Sequence, residues 1–122
     1  RMLYQSDAAV RAVIHTHSTY SVLWSCTNYA TAHPFNCIPP ITPYLGMKLG
    51  PVGLVPYEKP GSEELFAAFG NALGKSSGFL LNRHGPVVPG RDVMDAFFRL
   101  EELEESARIA WELRNETDFP IA

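Results

Sequence analysis

The run Ala12-Val13-Ile14 ends in His15-Thr16-His17-Ser18. Its β-branched and apolar residues predict a strand over residues 11–17. Side chains in a strand alternate faces, so His15 and His17 project the same way. Two imidazoles on one face at a strand end can grip one metal ion from a stiff support. A strand of this kind must be paired and covered along its length, yet open at the end that carries the histidines.

A second stretch has the same form. Gly78-Phe79-Leu80-Leu81 is a buried-strand signal that leads into Asn82-Arg83-His84-Gly85-Pro86, and Val87-Val88 then runs on to Gly90. Residues 79–89 therefore predict a hairpin or two short paired strands. His84 closes the first of these, so three of the four histidines stand where strands end. A three-nitrogen set with an open position is what a catalytic Zn²⁺ needs. By pattern alone, His15 and His17 read equally well as half-buried structural histidines. His33 lies in a proline-rich loop and is expected to face solvent.

Helices fill the remaining segments. Ser18 offers an N-cap for a helix ending near Asn28, carrying Tyr20, Val22, Leu23, Trp24 and Cys26. Prolines at 34, 39, 40 and 43 predict an irregular stretch over 29–43. A short helix is expected from Pro43 to Leu49, a strand over Val52–Pro56, and a Ser62-capped helix to Leu73, stopped by Gly74. The clearest helix is capped by Asp92 and runs to about Arg114. Its expected apolar stripe is Val93, Phe97, Leu100, Leu103, Ala107 and Trp111. Glu101, Glu102, Glu104 and Glu105 read as a solvated face, with Glu104 and Arg108 at pairing distance. Tyr20, Tyr57, Trp24 and Trp111 read as core or interface aromatics.

Length and composition narrow the function classes. A chain of 122 residues suits one domain, and 46% hydrophobic residues suffice for a core. A net charge of −3 gives no basic footprint for nucleic acid. No apolar run is long enough to span a membrane, and no secretory leader is recognisable. Cys26 and Cys37 are too few for a disulfide framework and read as buried, reduced thiols of a cytoplasmic protein. The chain starts at Arg1, and Met2-Leu3-Tyr4-Gln5 looks like the last turn of a helix, so a piece of a longer chain is expected.

Three runs together resemble one family: residues 12–18, then Leu80-Leu81-Asn82-Arg83-His84-Gly85-Pro86-Val87-Val88, then Glu101-Glu102-Leu103-Glu104-Glu105-Ser106-Ala107. Their order and spacing are similar to the class II aldolase and adducin-head family over nearly the whole chain. The resemblance implies an α/β fold, three-layer α/β/α with a largely antiparallel central sheet, incomplete at its N-terminus. Residues 1–122 would be the C-terminal portion of a single such domain. It implies one Zn²⁺ per subunit on His15, His17 and His84, a small phosphorylated sugar-acid substrate, and assembly into a homotetramer.

Within the family, Ile38-Pro39-Pro40-Ile41-Thr42-Pro43-Tyr44 with Met47-Lys48, then Pro56-Tyr57 and Pro60-Gly61, looks most like the 3-oxo-tetronate 4-phosphate decarboxylase branch. That branch implies loss of CO₂ through an enediolate, giving dihydroxyacetone phosphate. Tyr44, which by composition alone reads equally well as a packed tyrosine with its hydroxyl hydrogen-bonded, is then the candidate catalytic proton donor, reaching into a neighbouring subunit's site. The alternatives are a sugar-phosphate aldolase or 4-epimerase of the same family, or a non-catalytic module like the adducin head. An unrelated zinc hydrolase shares only the histidine set. The family's upstream Glu and phosphate-binding loops have no counterpart here, and Glu58 does not fill the Glu's place. Arg83 also departs from the pattern, where a smaller or uncharged residue is usual. If residues 79–84 are a strand, Arg83 points away from His84.

Overall fold

The computed structural model describes residues 10–72 and 76–116. The element order is β1 (Ala12–His15), α1 (Thr19–Ser25), α2 (Asn28–Ala32), α3 (Tyr44–Lys48), β2 (Val52–Val55), α4 (Glu63–Ala72), β3 (Gly78–Leu81), β4 (Gly85–Gly90) and α5 (Val93–Glu112). The helix end expected at Met2–Gln5 and the stop at Leu73-Gly74 lie outside the described residues.

The four strands form one sheet in the order β1-β4-β3-β2. β4 pairs antiparallel with both β1 and β3, whereas β2 runs parallel to β3 and reaches it through the α4 crossover. Two of the three pairings are thus antiparallel, as expected. Alternation along the strands sorts the side chains to two faces. Ile14, Val52, Leu54, Leu80 and Val88 pack with Trp24, Leu45, Leu100 and Leu103 from α1, α3 and α5. Val13, Val55, Phe79, Leu81 and Val87 pack with Leu65, Ala68 and Phe69 of α4. The result is helices, sheet, helix: the three-layer α/β/α arrangement.

α5 begins as its sequence predicts, with the Asp92 carboxylate accepting from Asp95 N–H at 2.7 Å. Its buried stripe is displaced from the expected one. Ala96, Leu100, Leu103, Ser106, Ala107 and Ala110 are buried, while Val93 and Phe97 are exposed, and the helix ends at Glu112. The cause is close packing of the first turn on β4. A Cβ on Gly90 would overlap the backbone of Ala96, so only small residues fit that contact. The larger apolar residues at this end are turned outward.

The glutamate run is not one solvated face. The Glu104 carboxylate accepts from the N–H groups of Tyr20 at 2.8 Å and Ser21 at 3.0 Å, and from the Ser21 hydroxyl at 2.8 Å. These amides are among the orphan donors at the start of α1. Ser18 occupies the N-cap position but makes no side-chain cap there, its hydroxyl lying 2.6 Å from that of Thr16. Arg108 pairs with Glu105 instead of Glu104, and Glu102 accepts from the Ser106 hydroxyl. A seven-residue helix cannot hold itself together in water. α1 is fastened to α5 by Glu104, by Trp24 Nε1–H donating to the Ala107 carbonyl at 2.8 Å, and by Trp24 packing edge-on to Trp111.

Three smaller expectations change. α1 stops at Ser25, and Thr27 caps a further short helix, α2, inside the stretch expected to be irregular. Its hydroxyl accepts from Ala30 N–H at 3.1 Å, which the proline count could not reveal. Cys37 is buried but Cys26 is exposed at the end of α1. Tyr57 is exposed, which removes the core half of its core-or-interface expectation. Among the described residues, no helix is long and apolar enough to cross a membrane.

Glu104→Ala in the full chain is expected to lower the unfolding free energy by about 2 kcal/mol, because two helix-start amides and a buried hydroxyl lose their acceptor. Glu101→Ala should change it by less than about 0.5 kcal/mol. Urea unfolding of the two variants checks this; equal values would leave Glu104 as an ordinary surface glutamate.

Candidate metal centre

His15 is the last residue of β1, in register with Val87 of β4. The strand is shorter than expected, and Thr16 and His17 lie beyond it. Thr16 N–H nevertheless donates to the Pro86 carbonyl at 3.3 Å, which carries the β1–β4 contact one residue further. His84 sits in the turn that joins β3 to β4, so it reaches the same place from the neighbouring strand.

The three rings converge. Their centroids are 5.3 Å apart for His15 and His17, 4.6 Å for His15 and His84, and 5.1 Å for His17 and His84. Each offers one nitrogen, and these atoms all lie within 4.8 Å of one another, a set that could hold a metal ion.

The tautomers fit that role. His15 Nδ1 is 2.8 Å from the Pro86 carbonyl, an acceptor, so Nδ1 carries the hydrogen and Nε2 is left with its lone pair. That Nε2 faces His84 Nε2 at 3.1 Å. Two such nitrogens repel unless a proton or cation lies between them. Nitrogens bound to one tetrahedral zinc at 2.0–2.1 Å are separated by about 3.3 Å, close to this spacing. Desolvation, and then the neighbouring His15 and His17, push the His84 pKa below the ordinary 6.5, which favours the neutral, metal-binding form.

The turn bearing His84 is tied down on both sides. Asn82 N–H donates to the Val55 carbonyl at 2.9 Å, and its side-chain amide donates to the Ser25 carbonyl at 2.5 Å. Arg83 N–H donates to the buried Ser25 hydroxyl at 3.0 Å. Gly85 lets the turn come close to β1: an added Cβ would overlap the Thr16 carbonyl and stand 3.1 Å from the His17 Cα. None of these supports is visible in the histidine spacing. The nearest sequence signal is the Gly-Pro pair that follows His84.

Arg83 is not on a strand. It adopts φ 59°, and its guanidinium lies 4.4 Å above the Tyr57 ring. It lines one open depression with His17, Thr19, Val22, Leu23 and His84, and because β3 ends at Leu81 the strand geometry that would turn it away from His84 does not hold. Tyr44 is not brought to the histidines. It is exposed at the start of α3 and does not line that depression. His33 is exposed as expected, stacked on Tyr29 at 4.0 Å, with its ring nitrogen bonded to the Tyr29 carbonyl.

Gly85→Ala is expected to push His84 away from His17 and to weaken metal binding by at least about tenfold, measured by competitive zinc titration; unchanged affinity would show that the approach has slack. The pH dependence has a definite sign. Because the folded-state pKa of His84 is depressed, the unfolded chain takes up that proton more readily. Its contribution to stability is full above about 6.5 and is lost as pH falls through the lower folded value. Zinc affinity should fall in the same direction, as protons compete for the imidazoles. Titrations between pH 7.5 and 5 check this, and a flat profile would contradict it.

Comparison with known proteins places the chain in a family. The family model described as "Class II Aldolase and Adducin N-terminal domain" matches residues 1–111. A Haemophilus influenzae protein named 3-oxo-tetronate 4-phosphate decarboxylase is 37% identical over 114 residues, covering 93% of this chain and 53% of the relative. A Methanocaldococcus jannaschii L-fuculose phosphate aldolase is 33% identical over 108 residues, covering 88% of this chain and 55% of the relative. The crystal structure of YgbL from Klebsiella pneumoniae superposes with a TM-score of 0.87 at 39% identity, covering 95% of this chain and 55% of that one. The chain spans about half the length of the curated relatives it matches. By sequence and by fold, it belongs to the class II aldolase and adducin N-terminal domain family.

Proposed function

We propose that residues 1–122 form the metal-bearing portion of one class II aldolase-like domain in a cytoplasmic lyase acting on a phosphorylated sugar acid. The reaction we favour is decarboxylation of a 3-oxo-tetronate 4-phosphate to dihydroxyacetone phosphate. The observation that carries this reading is the meeting of His15, His17 and His84, with His15 oriented by the Pro86 carbonyl. Relatives named for the decarboxylase are 37% and 39% identical, against 33% for an L-fuculose phosphate aldolase, which supports the choice within the family. A purely structural relative would have no use for three convergent imidazoles.

His15, His17 and His84 are the proposed ligands of one Zn²⁺ per subunit. Zinc, when bound, supplies a Lewis acid for the negative charge that gathers on the substrate's keto oxygen as CO₂ leaves. The chain's own residues fix the ligands in place. Pro86 holds the His15 ring and its tautomer, while Ser25 and Val55 hold the turn that carries His84. Tyr44 is proposed to return a proton to carbon from its phenol. Since it lies outside the depression of its own chain, it would serve the site of a neighbouring copy in a homotetramer.

The test uses the full-length protein. Zinc-loaded enzyme is expected to release CO₂ from 3-oxo-tetronate 4-phosphate faster than it cleaves L-fuculose 1-phosphate; the reverse order would make it an aldolase. His15→Ala and His84→Ala should each reduce bound zinc from about one per subunit to near zero by metal analysis, and full occupancy in both would refute the ligand assignment. Tyr44→Phe should keep its zinc and lose about 10²-fold in turnover. Unchanged kinetics would reduce Tyr44 to a surface residue.

A further inference from the structure

Arg83 stands out beside the histidines. Among the described residues it is the one non-glycine with a positive φ, at 59°. Arginine has no short polar side chain to ease that conformation, as asparagine or aspartate has. The fold imposes it through the Ser25 hydroxyl on the Arg83 N–H and the anchored Asn82 before it. Strain of this kind, held by surrounding contacts, is a feature of functional sites.

The guanidinium is presented, not neutralised. No carboxylate pairs with it among the described residues. Its guanidinium carbon lies 4.4 Å from the centre of the Tyr57 ring, and its Nε–H donates to the Asn82 side-chain carbonyl at 3.3 Å. Stacking on a ring leaves the edge N–H donors of an arginine directed outward. Arg83 lines the depression that also holds His17 and His84. A fixed cation next to a cationic metal site is unfavourable unless an anion lies between the two.

We propose that Arg83 is a substrate-binding residue whose outer N–H pair clasps an oxyanion of the substrate while the metal-proximal oxygens face the histidines. This rests on the proposed lyase reading and adds the recognition element to it. The ligand class is an oxyanion with planar or tetrahedral oxygens, which a guanidinium fork holds with two parallel hydrogen bonds. In the proposed substrate it is either the carboxylate or the phosphate. Tyr57, whose ring lies under the guanidinium at 4.4 Å, then acts as a positioning residue.

The experiment takes the full-length, zinc-loaded protein with Arg83→Gln, Arg83→Lys and Arg83→Gly. Arg83→Gly relieves the backbone strain, so it should unfold at a higher temperature than the parent and removes any doubt about folding. Zinc content should stay at the parent value in all three. Binding of inorganic phosphate and of acetate is measured by calorimetry. Arg83→Gln and Arg83→Gly should weaken one of these probes by about tenfold or more, with partial recovery in Arg83→Lys. Loss of phosphate binding assigns the fork to the phosphate end, and loss of acetate binding assigns it to the carboxylate end. Where turnover is measured, KM should rise much more than kcat falls. If both probes bind Arg83→Gln and Arg83→Gly as they bind the parent, the proposal is overturned, whatever reaction the enzyme proves to catalyse. Absence of decarboxylation with anion binding still dependent on Arg83 would overturn the substrate assignment and leave the oxyanion site standing.

Discussion

The Pro86 carbonyl joins the two parts of the chain on which the site depends. It accepts the Thr16 N–H and the His15 Nδ1–H together, using both of its lone pairs. One bond extends the β1–β4 ladder past the end of the strand. The other turns the first imidazole and fixes which nitrogen keeps its lone pair. Since Pro86 follows His84 by two residues, the same short stretch carries the third imidazole and orients the first. Gly85 lies between them, where a side chain would separate the partners.

The rest of the molecule can be understood as holding that junction still. Turn 82–84 is fastened to the end of α1 through Ser25 and to the end of β2 through Val55. α1 is too short to be stable alone, and it is capped by Glu104 and pinned by Trp24 to α5. α5 in turn rests on β4 through the small contact of Gly90 with Ala96. Support therefore passes from the long helix to the short one and then to the turn that bears a candidate ligand. Sites built on rigid, mutually braced elements keep their geometry better than sites on free loops.

Much of the architecture is legible in the amino-acid sequence. Short β-branched and apolar runs mark β1, β3 and β4, and capping residues mark the starts of α4 and α5, because those signals are local. The misreadings have specific causes. The stripe of α5 shifted because the Gly90 contact admits only small residues near Ala96, and periodicity alone cannot register a neighbour's shape. Glu104 read as solvated because its partners, Tyr20 and Ser21, are more than eighty residues away in sequence. The strand pattern runs three residues past the end of β3, through a turn whose left-handed residue is an arginine rather than a glycine.

What the amino-acid order determined by itself was the inventory: short strands ending in histidine, a capped amphipathic helix, and three imidazoles whose chemistry suits one cation. What only the tertiary structure decided was their mutual placement. The ring of His84 meets those of His15 and His17 because β4 pairs with β1 rather than lying elsewhere in the sheet. Pairing of strands some seventy residues apart is settled by burial of both sheet faces and by satisfaction of backbone hydrogen bonds across the whole fold. Neither leaves a mark in the local pattern, so the ingredients of the site could be named from the sequence while its geometry could not.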